Sequence, residues 1–388
     1  MSERPRAAVL ATHWSNGTEG GWFTRQVAGA LAHGADVHVI TPDGSSPGVS
    51  ADGAFTLHRM ATPVTPAMEL RTELLSSALA AVPTGSRRTS SPDLTGLLRP
   101  ELLDPWEDAV EVLDGLHPDL VLVVGLHTLG AVAALDRHDP ELPMVLVALA
   151  EEREALGFPH VARVVDRASS VLVVTDAERT AVGAVRTDAP TRVVGAPLAA
   201  NPSARTEPNA WVDGSEYVFV LTAASEDEDC TENDLARLLR VRFPDRTIAV
   251  SHRDAFCVWH GGEVRRGWPI ERSSDLERLL AWADTTVDLR PGGLFARTCI
   301  TSMLHGTPII VPSGSRAEQH ARRGSGGLWF RGAAELARCV DAMCSPSVRD
   351  PLGRQGRNYA EREFGHTGAF VERVLTACAL LDPEPVCG

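Results

Sequence analysis

The sequence predicts an α/β protein of two doubly wound, Rossmann-like domains facing across a cleft. Three observations carry that expectation. The chain opens as strand, helix, strand, which forecasts a parallel sheet. Several later runs are continuously apolar, as strands covered by helices on both faces must be. The segment Ala283–Pro312, ADTTVDLRPGGLFARTCITSMLHGTPIIVP, reads as strand, polar loop, helix, then Gly306-Thr307-Pro308 into a second strand. A doubly wound domain builds a ligand crevice with that frame, at the carboxyl end of its sheet.

Taken in order, Ala7–Thr12 is a short apolar strand followed by the polar loop His13–Gly21. Trp22–His33 places Trp22, Phe23, Val27, Ala30 and Leu31 at helical spacing, Gly34 suits a C-cap, and Ala35–Thr41 returns as a strand. Residues 45–100 give no clear pattern beyond a Pro-, Ser-, Gly- and Arg-rich loop at Val82–Pro92. Asp119–Gly125, Pro143–Ala148 and Ser170–Thr175 are the continuous apolar runs, and Asp176 begins a helix with an acidic first turn. The Pro-rich stretch Ala196–Gly214 is the best linker, so the domains are expected at 1–198 and 215–364, joined by 199–214. A second α/β series follows: Tyr217–Leu221, a helix near Glu232–Arg242, Thr247–Ser251, a helix at Ser274–Ala283, then the Ala283–Pro312 frame. Val348–Leu380 is a pair of helical patterns, with 365–388 expected to return toward the first domain.

Composition narrows the function. The 388 residues suffice for two full cores. A net charge of −14 argues against a nucleic-acid partner, whose phosphates demand a basic surface. No apolar run is long enough to span a membrane and the start has no signal-like core, so a cytoplasmic protein is expected. Seven cysteines without metal-type spacing suggest reduced thiols and no zinc site. All 37 basic residues are arginine, since the chain has no lysine. Any phosphate grip must therefore come from arginine, histidine, backbone N–H groups or helix N-termini.

Several segments resemble family 4 glycosyltransferases of GT-B fold. SNGTEGGWFTRQVAGALAHGADVHVIT looks like their first glycine-rich loop and helix, and SSVLVVTDAERTAVG like the last strand and helix of their first domain. HGTPIIVPSGSRAEQHARRGSGGLWFRGAAELARCVDAM resembles their donor-side strand, loop and helix, and RDPLGRQGRNYAEREFGHTGAFVERV their closing helices. The resemblance covers most of the chain apart from residues 45–110. It implies a retaining, metal-independent transfer of sugar from a nucleotide-diphosphate sugar, a co-substrate rather than a cofactor, to an acceptor.

The site departs from that pattern. Where the family carries two glutamates in the donor loop and helix, this chain has Gly293 and Thr301. Where it carries an arginine and a lysine for the diphosphate, this chain has Glu226, Asp227, Glu228 and Asp229, either a solvated loop or an unsupported divalent-ion site. The family's mid-domain histidine is replaced by Ala150 and Glu151. His127, at the preceding strand end, is either a cleft residue or a structural one. Arg290, Arg297 and Arg316 are candidate replacements for the diphosphate grip. Glu318 matches a frequent family glutamate or is a helix-start charge. Gly20 and Gly21 either let backbone approach a phosphate or acceptor or make a tight turn. Two readings stand: a divergent transferase, and a catalytically silent homologue that binds a protein partner.

Overall fold

In the computed structural model the residues described are 4–11, 14, 19–42, 47–60, 100–125, 129–148, 159–198, 200–205, 217–222, 234–252, 255–260, 263–269, 273–290 and 296–380. Contacts divide the chain into two compact units, Met1–Ala196 with Thr367–Gly388, and Pro197–His366.

The first unit runs β1 (Arg6–Ala11), α1 (Glu19–Leu31), β2 (Asp36–Thr41), β3 (Gly48–Asp52), β4 (Phe55–Arg59), α2 (Pro100–Leu116), β5 (Leu120–Val124), α3 (Leu129–His138), β6 (Met144–Val147), α4 (Pro159–Arg167), β7 (Ser170–Val173), α5 (Asp176–Val185) and β8 (Thr191–Val193). Its sheet has the order β3-β4-β2-β1-β5-β6-β7-β8. Every neighbouring pair is parallel except the β3–β4 hairpin at one edge. The apolar runs at β5, β6 and β7 are buried at every position, as helices on both sheet faces require. The hairpin falls in the stretch that gave no pattern, although its Asp52-Gly53 pair is a hairpin turn signal. Asp52 also holds Trp14 and Arg25. Its carboxylate accepts a bond from Trp14 Nε1 at 3.0 Å and pairs with Arg25 at 3.1 Å, while the Arg25 guanidinium stacks on the Trp14 ring.

The second unit runs β9 (Tyr217–Leu221), α6 (Asp234–Arg242), β10 (Thr247–His252), β11 (Ala255–His260), β12 (Glu263–Pro269), α7 (Ser273–Trp282), β13 (Thr285–Asp288), α8 (Arg297–Leu304), β14 (Ile309–Pro312), α9 (Arg316–Arg323), β15 (Gly327–Phe330), α10 (Ala333–Met343) and α11 (Pro346–Phe364). The sheet order is β12-β11-β10-β9-β13-β14-β15. Strands β10, β9, β13, β14 and β15 are parallel, and β11 and β12 extend the sheet as an antiparallel meander. The sequence reading passed over that meander, whose signal was a Gly261-Gly262 pair between aromatic and β-branched residues. Helix α8 is buried from Thr298 to Leu304. Ser302 Oγ donates to Thr286 Oγ1 at 2.8 Å, tying the helix to β13.

Helix α11 packs on the turn between α8 and β14 through glycines. A Cβ at Gly353 would stand 2.2 Å from the Gly306 carbonyl oxygen, and one at Gly326 would stand 2.5 Å from Gly356 Cα. The last helix, α12 (Thr367–Ala377), belongs to the first unit. Its Phe370 ring meets Phe23 of α1 at 6.3 Å, and Arg373 Nε donates to the Val194 carbonyl at 2.9 Å. Among the described residues, no helix is long and apolar enough to cross a membrane.

Candidate functional site

Residues of the donor-loop frame gather at the carboxyl ends of two adjacent parallel strands, β13 and β14, where doubly wound sheets hold ligands. Strand β13 ends in Asp288, a buried carboxylate that must be paired to be tolerated there. It accepts from Arg290 three times: from the backbone N–H at 3.0 Å, Nε at 2.9 Å and Nη2 at 2.8 Å. The Cys299 thiol donates to its other side at 3.3 Å. Arg290 is thus locked in a bidentate fork on its own strand end, and its charge is largely neutralised by Asp288. Sequence reading missed Asp288. The signal was present in Asp-Leu-Arg, a carboxylate closing an apolar strand two residues before an arginine.

Helix α8 begins with Arg297, directly after Ala296. Ala296 adopts the left-handed region at φ 58° and is buried. That conformation is rare for a residue with a Cβ, and it turns the chain sharply into the helix. Arg297 lies beside Glu277 of α7, a half-buried carboxyl that also accepts a side-chain hydrogen bond from Asn201. Burial raises the Glu277 pKa, and the charge of Arg297 and the Asn201 bond oppose that rise. Neither Glu277 nor Asn201 stood out in the sequence, since each is one polar residue on a polar stretch. Thr301 lies one turn further into α8 and is buried; its carbonyl accepts the His305 N–H at 3.2 Å.

Helix α9 begins with Arg316, capped by Ser315 Oγ on the Glu318 N–H at 3.3 Å. The Glu318 carboxylate folds back on the preceding turn, accepting the Gly314 N–H, with Gly314 at φ 86°. It also accepts both Arg322 Nε at 2.8 Å and Nη2 at 2.6 Å. The Gly314 N–H, with Arg322 next in support, holds the Glu318 pKa below the usual carboxylate value. Arg322 in turn stacks over the Trp329 ring at 3.9 Å. Glu318 is therefore a clasp on the β14–α9 turn.

Two adjacent helices, α8 and α9, thus open at the same sheet edge with an arginine as first residue. Helix N-termini carry unsatisfied N–H groups and positive dipole ends, so the edge is suited to an anion. In the first unit, Gly20 and Gly21 are buried in the first turn of α1, and the Gly20 carbonyl accepts the Thr24 hydroxyl at 2.8 Å. Gly293, His127, Ala150, Glu151 and the acidic residues 226–229 lie outside the described residues. Among the described residues no group of three or more His, Cys, Asp or Glu side chains is placed to hold a metal ion.

No family model and no curated protein sequence matches the chain. Solved structures do match over nearly its whole length. Sucrose-phosphate synthase from Thermosynechococcus elongatus is 14% identical, with 95% of this chain and 97% of that one covered at a TM-score of 0.66. HepE of Anabaena, in complex with UDP-glucose, is 17% identical, with 97% and 100% covered at 0.65. The trehalose-6-phosphate synthase OtsA is 11% identical, with 98% and 100% covered at 0.65. The chain has the GT-B glycosyltransferase fold, built of two Rossmann-like domains.

Proposed function

We propose that this chain is a glycosyltransferase that takes a sugar from a nucleoside-diphosphate sugar and passes it to an acceptor, with retention and without a metal ion. One observation carries the reading: the paired helix N-termini at the ends of β13 and β14, each headed by an arginine, Arg297 and Arg316. Such an edge offers a departing diphosphate both charge and preorganised N–H donors, the electrostatic help that its leaving requires. The neighbours lend support, since HepE is described with UDP-glucose and a trehalose-6-phosphate synthase with UDP-2-fluoro glucose. In this reading Arg290 acts through Asp288, shaping the donor loop, and Glu318 shapes the turn that presents Arg316. Glu277 and Asn201 hold Arg297 in place.

A second reading, a silent homologue that serves as a binding or scaffold partner of an active enzyme, draws on the same distances. Arg290 and Glu318 are both committed to internal pairs, so one candidate replacement and one family-like position are spent on architecture. Thermal shift and calorimetry with UDP, GDP, ADP and TDP separate the two. A ligand that binds the native state raises apparent stability by mass action, and the transferase reading expects one nucleotide to do so. Arg297→Ala then weakens that binding about tenfold, the loss of a charge-assisted bond. A folded protein that answers to none of the four nucleotides sinks the transferase reading.

A further inference from the structure

At the opposite end of the same two strands the surface is cut by a notch of about 430 Å³. Its walls are Trp282 at the end of α7, Asp284 just before β13, Gly306 and Pro308 just before β14, and Arg349 and Asp350 from the first turns of α11. It therefore lies at the amino ends of β13 and β14, away from the edge that carries Arg297 and Arg316. We propose that this notch is a second carbohydrate site, one that binds a neutral pyranose ring of a glycan without nucleotide.

The chemistry of the wall selects that ligand class. Trp282 is 37% exposed. Its indole N–H is committed to the Ala204 carbonyl at 3.0 Å, so the ring is held still rather than free to fold onto the surface. A fixed aromatic face suits the C–H face of a sugar ring, apolar and slightly positive against the negative π cloud. Beside it stands a rigid polar wall. Arg349 donates to Asp284 at 2.6 Å and pairs with Asp350 at 3.3 Å, while Arg246 pairs with Asp284 from behind at 3.3 Å. Asp284 and Arg349 are both largely buried, so the network is preorganised. Carboxylates accept from hydroxyls, and Asp350 is half exposed at the rim, within reach of them.

The same network disfavours an anion. The guanidinium group in the wall, Arg349, already faces two carboxylates, so a phosphate would meet no net positive charge there. The volume exceeds that of a few ordered waters and suits a small ligand.

The test is saturation-transfer NMR on the full chain with maltotriose, cellotriose and laminaritriose, nucleotide absent. Transfer to at least one trisaccharide is expected. Trp282→Ala should weaken it about tenfold, and Asp350→Asn, at a half-exposed position, several-fold. Trp282→Phe keeps a ring but loses the bond to Ala204, so it retains binding if the ring face holds the sugar. Absence of transfer to all three sugars in the folded protein overturns the proposal. So does transfer unchanged in both Trp282→Ala and Asp350→Asn. None of these outcomes bears on whether a nucleotide binds at Arg297, so this site and the transferase reading fail separately.

Discussion

Glu318 illustrates how far a single residue's role can move once its contacts are known. At the level of sequence it is either a ligand carboxylate or a helix-start charge; in the structure it closes the turn before α9, gripping the Gly314 N–H and Arg322. Its carboxyl titrates below the usual value of 4.5, so the ionised form is the one the native state favours. The sign then follows from linkage: the stabilisation is present above the unfolded-state pKa and is lost as pH falls through the lower native value. Glu318→Gln should thus lower the unfolding midpoint at neutral pH, with the gap to the parent protein closing as the pH falls below the usual glutamate range. Urea melts of both proteins at several pH values measure it, and a gap that stays constant with pH would assign the loss to packing alone. Arg290 has a similar history. Its fork on buried Asp288 ties it to the end of β13.

At the scale of elements, the α8–β14 turn depends on how closely α11 can approach it. Gly-to-Ala in an ordinary helix gains about 1 kcal/mol, because alanine is the better helix former. At Gly353 the new Cβ would stand 2.2 Å from the Gly306 carbonyl, a backbone atom that cannot swing aside. Overpacking of that kind costs about 1–3 kcal/mol, and against backbone the clash outweighs the propensity gain. Gly353→Ala should lower the thermal midpoint, whereas Gly183→Ala in α5, with nothing within 4 Å of its Cβ, should hold or raise it. Differential scanning calorimetry on the pair decides the matter; equal shifts would mean that α11 yields. The elements also mark what the sequence could and could not tell. Continuous apolar strands such as β5 and β6 announce themselves because burial on both faces leaves no alternative composition. The β3–β4 hairpin carries a weak pattern because it buries little, with only Leu57 fully covered, whereas β11 is buried from Phe256 to Trp259 and its signal was present. The Asp288–Arg290 fork and the Glu277–Arg297 proximity needed coordinates, since hydrogen bonding has no periodicity to read.

For the whole molecule, the absence of lysine turns an oddity of composition into a means of testing the site. The chain carries 51 acidic residues against 37 arginines, so its overall field repels a nucleotide, and any binding must come from a local arrangement of guanidinium and N–H groups. Amine acylation has no lysine ammonium to reach and should leave nucleotide binding unchanged. Phenylglyoxal, which modifies guanidinium groups, should abolish it. Arginines differ in their reaction with that reagent according to how firmly they are held. Arg290, bidentate on a buried carboxylate, should react slowly with or without nucleotide. Arg297 and Arg316, at the helix N-termini, should react more slowly when the binding nucleotide is present than when it is absent. Peptide mass spectrometry after brief modification reads all three sites in one experiment. If nucleotide shields neither Arg297 nor Arg316, the diphosphate does not sit on the paired helix N-termini, and the grip must be sought elsewhere in the chain.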